Sequence, residues 1–472
     1  MPHGAGLQQR GRPADTGPTP SLRLIFLTVL IAALGTAVTS SAHAASDVVI
    51  PEGGFADVAL DPISGRGVGI SSDTAPGSVA GHMTMRLYAT ALDAGGRPTG
   101  GPRMFAPIWS PDLMGPHLIS VATDTRRGRH LVAYTASKPG MGVSPCAPLP
   151  PVAPEVAGIG AWLFGDQTSC EVTDGEVFVR LLDRAGRAIG PERQVSSVGP
   201  PASGVYRSGA PSIAYDAPAD AFVVVFNAFI TEDQQASAVL TQKLRADGRP
   251  VGAPRALALE PEPVTTAPQT SLVANPRGGY LLVYASGPLG RKALYARRIA
   301  SDGALAGATT VLTGTGIGGF ELDVDRRSRR VLVAYTRGGG VESDIRARLL
   351  NLAGRPVGDI VDLPYRIGAG GVYVAASGSG SWLYGFSRRG EGLESQALVQ
   401  SADSRGRPNT PVRPLSPASG VNSGSPLLMT TRGGGVLVRW GETPVVCTAG
   451  SYGEDSCTLS QTGDLHLRVM RP

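Results

Sequence analysis

The segment AYDAPADAFVVVF at residues 214–226, followed by DGRPVG at residues 247–252, defines the unit from which the chain is built. The first part places a polar turn, led by Asp216, between two apolar runs. In the second part, Gly248 can take a positive φ and Pro250 presets its own φ, as tight turns require. Each part predicts a β-hairpin, and two hairpins in series predict a four-stranded antiparallel sheet.

The turn of the second hairpin recurs six times along the chain. In each copy an apolar residue lies nine positions before the first glycine of the turn, and another lies nine positions after it. Such equal spacing predicts hairpins of one length. The reference glycines are Gly96, Gly186, Gly248, Gly303, Gly354 and Gly406.

The turn of the first hairpin recurs seven times, and Asp or Asn leads it in most copies. A ring of carboxylates is one interpretation of these residues. Their place at the end of a strand favours turn capping, in which the side chain accepts hydrogen bonds from N–H groups two residues on. The second strands are nearly continuous apolar runs, which predicts burial on both faces. The leading residues are Asp61, Asp124, Asp216, Asn275, Asp325, Ser377 and Thr431.

A repeat of about 50 residues with four strands is the pattern of a propeller blade. The sequence therefore predicts an all-β fold, a seven-bladed β-propeller of four-stranded antiparallel blades. The seventh copy ends after its third strand, Leu465–Met470. We expect the N-terminal segment Val48–Ile50 to supply the missing fourth strand, which would close the ring and cover an open sheet edge.

With these repeats the chain resembles bacterial exported β-propeller repeat proteins, whose blades pair a D-x-x-x-G turn with a G-x-P-x-G turn. The resemblance covers nearly all of residues 47–472. It implies a fold and no catalytic residues, because such proteins are functionally diverse. The signatures of WD, kelch and Asp-box repeats are absent from the sequence.

The N-terminus has the pattern of a secretory signal peptide. Arginines precede the apolar run of residues 24–38, and small residues follow up to Ala44. We expect removal of residues 1–44, with an uncleaved N-terminal anchor as the alternative. We further expect a single domain over residues 45–472 and a monomer that is secreted or periplasmic, with no later membrane span. The arginines are scattered without a basic run, so no nucleic-acid partner is predicted.

Two loop insertions interrupt the repeats, at about residues 137–176 and 443–464. Both fall at the same end of the sheets, where variable loops on a rigid scaffold usually bind partners. All four cysteines lie in them, and the pairs Cys146–Cys170 and Cys447–Cys457 are favoured among three possible connectivities. Trp109 and Trp162 are candidates for exposed contacts at this end.

Acidic residues that depart from the repeat are the second candidate site. Four positions before the turn residue, the copies have Asp57, Ser120, Ser212, Ser271, Glu321, Tyr373 and Leu427. Asp323 lies two positions before its turn residue. Since the first strand of a propeller blade lines the central channel, Asp57, Glu321 and Asp323 are candidate channel residues. They suit glycoside chemistry, an oxygen-ligated cation or hydration of the channel.

No nucleophile elbow, zinc-protease helix or phosphate-binding loop is present in the sequence. No cofactor or metal is predicted. The leading hypothesis is a non-catalytic recognition module that binds a glycan, peptide or protein surface through the inserted loops. A polysaccharide-active hydrolase or lyase that uses the channel acids is the first alternative, and a structural envelope protein is the second.

Overall fold

A computed structural model describes residues 48–51, 55–61, 63–76, 83–109, 119–136, 147–148, 168–169, 176–196, 208–229, 237–259, 269–288, 290–338, 343–367, 371–390, 393–424, 426–449, 455–459 and 464–470. All of them belong to one compact unit, Asp47–Pro472. Their regular elements are strands, of which the first is β1 (Val48–Pro51). Within these residues no helix has the length and apolar character needed to cross a bilayer.

Five separate sheets each contain four antiparallel strands in sequence order. The first sheet is β2 (Phe55–Leu60), β3 (Gly67–Pro76), β4 (Met83–Leu92) and β5 (Arg103–Trp109). The second is β6 (Ile119–Asp124), β7 (Arg129–Ala136), β10 (Glu176–Leu182) and β11 (Arg193–Gln194). Between β7 and β10, the short strands β8 (Ala147–Pro148) and β9 (Thr168–Ser169) pair with each other.

The next three sheets repeat the pattern. The third sheet is β12 (Ser208–Asp216), β13 (Ala221–Phe229), β14 (Ser237–Arg245) and β15 (Arg255–Leu257). The fourth is β16 (Thr270–Ala274), β17 (Tyr280–Ser286), β18 (Ala293–Ile299) and β19 (Leu305–Val311). The fifth is β20 (Ile317–Asp325), β21 (Arg330–Arg337), β22 (Ser343–Asn351) and β23 (Val361–Ile367).

The remaining strands form one ten-stranded sheet. One half contains β24 (Val372–Ala376), β25 (Trp382–Arg389), β26 (Ser395–Ala402) and β27 (Arg413–Pro414). The short strand β28 (Val421–Ser423) joins it to β29 (Leu427–Thr430), β30 (Val436–Ala449), β31 (Asp455–Leu459) and β32 (Asp464–Met470). The link through β28 is slight, because its contact with β26 is the single parallel pair Ser395 and Asn422.

The first strands of successive sheets lie side by side. They run from β2 through β6, β12, β16, β20 and β24 to β29, and β29 in turn contacts β2. A closed circle of first strands is the β-propeller-like arrangement, in which these strands surround a central channel. The all-β class and the repeated four-stranded antiparallel sheets are thus confirmed.

The N-terminal strand takes the position predicted for it. Val48 is opposite Leu467 and Ile50 is opposite Leu465 in the antiparallel pair of β1 and β32. On its other side β32 pairs with β30 over Val436–Glu442. Strand β1 therefore covers an edge of β32 that would otherwise expose unpaired backbone groups.

The second strands form the core, as their apolar runs predict. In β13 the side chains of Phe222 and Val224 are fully buried, and so is Trp382 in β25. Turn capping by leading Asp and Asn residues is also confirmed, since the N–H of Ile63 donates to Asp61 Oδ1 at 2.9 Å and that of Arg277 donates to Asn275 Oδ1 at 2.9 Å. All six reference glycines have a positive φ: Gly96, Gly186, Gly248, Gly303, Gly354 and Gly406.

The insertion predicted at residues 443–464 differs in part from a loop. Strand β30 continues without a break to Ala449 and pairs with β31, so that much of the segment is a β-hairpin. Its β-branched residues Val445, Val446 and Thr448 favour an extended backbone. Cys447 and Cys457 are opposite each other in this hairpin, whereas Cys146, Cys170 and Trp162 lie outside the described residues.

Candidate functional site in the central channel

One set of equivalent residues borders the channel, and we call it the channel ring. Each member lies in a first strand, four positions before the residue that leads the turn. All members are half-buried, although the residues that follow them in the strands are mostly buried. The channel ring consists of Asp57, Ser120, Ser212, Ser271, Glu321, Tyr373 and Leu427.

Three members of the ring bind the backbone of the next sheet. Asp57 Oδ2 accepts a hydrogen bond from the N–H of Val121 at 2.9 Å. Ser120 Oγ accepts one from Ile213 at 3.3 Å, and Ser212 Oγ accepts one from Leu272 at 2.9 Å. These side chains therefore join neighbouring first strands, which is a structural task.

Asp323 joins three first strands. Its Oδ1 accepts a hydrogen bond from the N–H of Val324 at 2.7 Å. Its Oδ2 accepts one from the N–H of Ala376 in β24 at 2.8 Å and one from the hydroxyl of Thr430 in β29 at 3.1 Å. The carboxylate of Asp323 thus holds three first strands together, in contrast to that of Glu321.

Glu321 has the least engaged carboxyl group of the three. Within the described part of the chain, its one hydrogen bond is from the N–H of the adjacent Leu322 to Oε1, at 3.3 Å. Burial raises the pKa of Glu321 to about 7, and the negative charges of Asp57 and Asp323 act in the same direction. Glu321 is therefore only partly ionised at neutral pH.

Asp57 has a pKa in the same range for a similar reason. Burial raises the pKa of Asp57 to about 7, although the hydrogen bonds from Val121 and Val58 and the charge of Arg439 oppose the rise. Its two oxygens both accept backbone hydrogen bonds, because Oδ1 takes the N–H of Val58 at 2.8 Å. Asp57 combines a structural contact with a titrating carboxyl group.

Two further residues complete the site, and the sequence did not single them out. Tyr373 belongs to the channel ring, and burial together with the charge of Glu321 raises the pKa of its hydroxyl. Arg439 lies in β30, directly opposite the ring residue Leu427. Burial lowers the pKa of Arg439 to about 10, so its guanidinium keeps its charge at neutral pH.

A sequence signal for Arg439 exists in the repeats. The residues at the equivalent position of the other second strands are small or apolar, and a charge there stands out in the segment VLVRW at residues 436–440. The equivalent residues are Ile70, Ala133, Val225, Val283, Ala334 and Gly385.

The site combines groups that suit proton transfer. The charge of Asp57 acts on Glu321, Tyr373 and Arg439, and Tyr373 is also affected by the charges of Glu321 and Arg439. A carboxyl group with a pKa near 7 can donate or accept a proton at neutral pH, which is the property of a general acid or base. Among the residues that the structure describes, no group of three or more His, Cys, Asp or Glu side chains is placed to hold a metal ion.

The two predicted tryptophan contacts stay predictions. Trp109 is the last residue of β5, where it pairs with Thr84. Trp162 falls outside the described residues, together with most of the insertion at residues 137–176.

Comparison with known proteins gives distant structural likenesses alone. No family model and no curated protein matches the chain. An ulvan lyase of polysaccharide lyase family PL25 is 11% identical, with a TM-score of 0.48 over 87% of this chain and 95% of that one. A protein of unknown function from Dyadobacter fermentans is 14% identical, with a TM-score of 0.44 over 90% of this chain and 98% of that one.

The sialidase NanB of Streptococcus pneumoniae is a third structure similar to this chain. It is 11% identical, with a TM-score of 0.44 over 89% of this chain and 70% of the sialidase. Structures with so little sequence identity assign no activity to the chain. Because no family model matches, the resemblance between the repeats does not place the chain in a named family.

Proposed function

We propose that the protein is a glycan-active enzyme, a hydrolase or lyase, whose reaction takes place at the channel residues Glu321, Asp57, Tyr373 and Arg439. The observation that carries this proposal is that the charge of Asp57 acts on Glu321, Tyr373 and Arg439 at the circle of first strands, while burial raises the pKa of both Asp57 and Glu321 to about 7. Asp57 and Glu321 come from two separate four-stranded sheets, and Tyr373 and Arg439 come from the two halves of the ten-stranded sheet. Among the described residues, the one hydrogen bond of the Glu321 carboxyl group is from Leu322 in its own strand. Acids whose pKa values are perturbed by burial and by a specific charged neighbour are candidates for catalysis.

Glu321 is the proton donor or acceptor in this proposal, and Asp57 is the second carboxyl group. Glycoside hydrolysis uses such a pair, with one group protonated and the other ionised. Two interacting carboxyls with pKa values near 7 readily share one proton, so the pair at neutral pH holds both forms. Serine, tyrosine and carboxyl groups around the channel suit a polyhydroxylated substrate, which supplies matching hydroxyls.

Turnover on a panel of polysaccharides tests the proposal. Release of reducing ends identifies a hydrolase, and an unsaturated, ultraviolet-absorbing product identifies a lyase. We expect turnover of at least one substrate, with a loss of about 100-fold or more in Glu321→Gln. Asp302→Asn, in the exposed turn between β18 and β19, is the matched control and should keep full activity. A wild-type protein with no turnover on any substrate would contradict the proposal.

A second candidate function is a recognition module that binds through the inserted loops. The observation that favours it is the hairpin of β30 and β31, which extends β30 beyond its pairing with β32 at Glu442. We also propose the disulfides Cys447–Cys457 and Cys146–Cys170 as supports of the two insertions. Saturable binding of a glycan, peptide or protein that is lost when residues 140–173 are shortened, with folding retained, would support this candidate.

We further propose that the ring has seven blades. The ten-stranded sheet then comprises two of them, β24–β27 and the set β29, β30, β32 and β1, which β28 links through one residue pair with β26. An experimental map of the protein tests this count directly. Six blades, or strands arranged as two flat layers, would contradict it.

Export of a monomer is also a proposal. Its support is the basic, apolar and small-residue order of residues 10–44, with cleavage after Ala44. N-terminal sequencing of protein recovered from the periplasm or medium should begin at Ala45. Light scattering of the same material tests the monomer.

A further inference from the structure

Arg439 is the residue of the channel that acid–base chemistry leaves unexplained. Every other second strand has a small or apolar residue at this position, for example Ala133 and Ala334, which are fully buried. Arg439 itself is half-buried, and burial lowers the pKa of its guanidinium to about 10, so the group has lost part of its hydration. A charged group that loses hydration is destabilising unless a partner compensates the loss. We therefore expect Arg439 to need a partner that carries a negative charge or a hydrogen-bond acceptor.

The described part of the chain supplies none. Arg439 forms no hydrogen bond and no ion pair there, and its Nε is buried without an acceptor. Asp57 acts on it by its charge, yet both oxygens of Asp57 accept backbone N–H groups from Val58 and Val121. The residue directly opposite, Leu427, has no polar group to offer.

The charges around the channel also favour an anionic partner for Arg439. Asp57 and Glu321 are each only partly ionised near pH 7, and Tyr373 is neutral there. The positive charge of Arg439 is thus incompletely balanced by its surroundings. An anion that enters the channel would supply both the missing charge and the missing hydrogen-bond acceptor.

We propose that Arg439 binds the carboxylate of an acidic sugar residue, so that the substrate is a glycan containing uronic or similar acids. The inference rests on the proposed action at the channel and names the substrate class. A carboxylate matches the planar guanidinium, which donates two parallel hydrogen bonds to its two oxygens. Asp57 and Glu321 repel an entering anion only weakly, because each has a pKa near 7 and can take up a proton as the anion binds.

Binding of matched oligosaccharides by calorimetry tests this inference. The probes are oligogalacturonate, alginate and hyaluronan fragments, the same fragments with their carboxylates reduced to alcohols, and a sulfated neutral galactan. We expect the wild-type protein to bind at least one acidic fragment 10-fold or more tightly than its reduced form. Arg439→Gln should abolish that preference, while Arg432→Gln, an exposed arginine of the same hairpin, should keep it.

Arg439→Lys separates geometry from charge. It should keep a smaller preference, because the ammonium retains the charge and lacks the planar fork. Thermal melts of each variant show whether it is folded, and Arg439→Lys carries the test if Arg439→Gln fails to fold. Equal binding of acidic and reduced forms, tightest binding of the sulfated galactan, or a preference that survives in Arg439→Gln would overturn the inference.

The outcomes distinguish this inference from the proposed function. Turnover of a neutral glycan that is lost in Glu321→Gln would support the proposed enzyme and contradict the carboxylate site at Arg439. Carboxylate-dependent binding through Arg439 with no turnover of the same fragment would support the carboxylate site and contradict the catalytic function.

Discussion

The N–H of Val121 donates a hydrogen bond to Oδ2 of Asp57 at 2.9 Å, which joins the first strands of two sheets at the channel. In the next two sheets the same connection is made by the hydroxyls of Ser120 and Ser212. An aspartate therefore stands where a serine is sufficient for the structure. The additional property of Asp57 is a carboxyl group that titrates near neutral pH.

Substitution of Asp57 can separate these two tasks. We expect Asp57→Ser to keep the hydrogen bond to Val121 and to change the free energy of unfolding by less than about 1 kcal/mol. Asp57→Ala leaves the N–H of Val121 without its acceptor and should lose about 1–3 kcal/mol. Urea denaturation measures both values. Equal destabilisation by the two variants would show that the ring hydrogen bond does not depend on a hydroxyl or carboxyl acceptor.

We expect the titration of Glu321 to contribute to the pH dependence of the free energy of unfolding. Its pKa is about 7 in the folded protein because of burial, and near 4.3 in an unfolded chain. The unfolded state thus releases its proton first as the pH rises, so the contribution of Glu321 to the free energy of unfolding falls between about pH 4 and pH 7. Glu321→Gln removes this fall.

We therefore expect Glu321→Gln to be more stable than the wild-type protein by about 1–2 kcal/mol at pH 8, with the difference vanishing near pH 4. Denaturation at several pH values measures it. His130 has the opposite effect, because burial lowers its pKa to about 4. Its contribution to the free energy of unfolding falls as the pH drops below about 6.5, the value in an unfolded chain. Its effect is present in both proteins and cancels in the difference. A difference independent of pH would contradict the assignment to Glu321.

A close approach of two turns gives a prediction about packing between the two halves of the ten-stranded sheet. Gly378 follows β24 and Gly434 precedes β30, and the N–H of Gly378 donates to the carbonyl of Gly434 at 3.1 Å. A Cβ added at Gly378 would lie 2.5 Å from the Cα of Gly434, whereas one at Gly433 would meet no atom within 4 Å. We expect Gly378→Ala to lose about 1–3 kcal/mol and Gly433→Ala to lose almost nothing. Thermal unfolding of the two variants gives the comparison, and equal melting temperatures would refute it.

The closing strand predicts a sharp effect of truncation. A chain that begins at Asp47 keeps β1, and one that begins at Glu52 lacks it. The shorter chain should lose cooperativity and aggregate, because the free edge of β32 then offers unpaired backbone groups to other chains. Unfolding curves and light scattering compare the two. Similar stability and solubility would mean that β1 adds little to the ring.

Local features of the sequence determined much of the fold. A turn led by Asp61 or Asn275 is capped by its own side chain within two residues, so the signal and the contact occupy the same short segment. Equal spacing around the reference glycines determined the hairpins, and the missing last strand determined the pairing of Val48–Ile50 with β32. Two candidate acids, Asp57 and Glu321, were also found because they break a repeat that the sequence itself displays.

The tertiary structure alone decided which channel groups are engaged and which are free. Asp323 binds Ala376 and Thr430, which are 53 and 107 residues away, and no local pattern encodes such partners. Arg439 comes to the channel from a second strand, where the apolar run around it predicts a core position. The physical reason is that hydrogen bonds within a turn depend on neighbours in the chain, whereas burial, charge balance and contacts between sheets depend on how the sheets assemble around the channel.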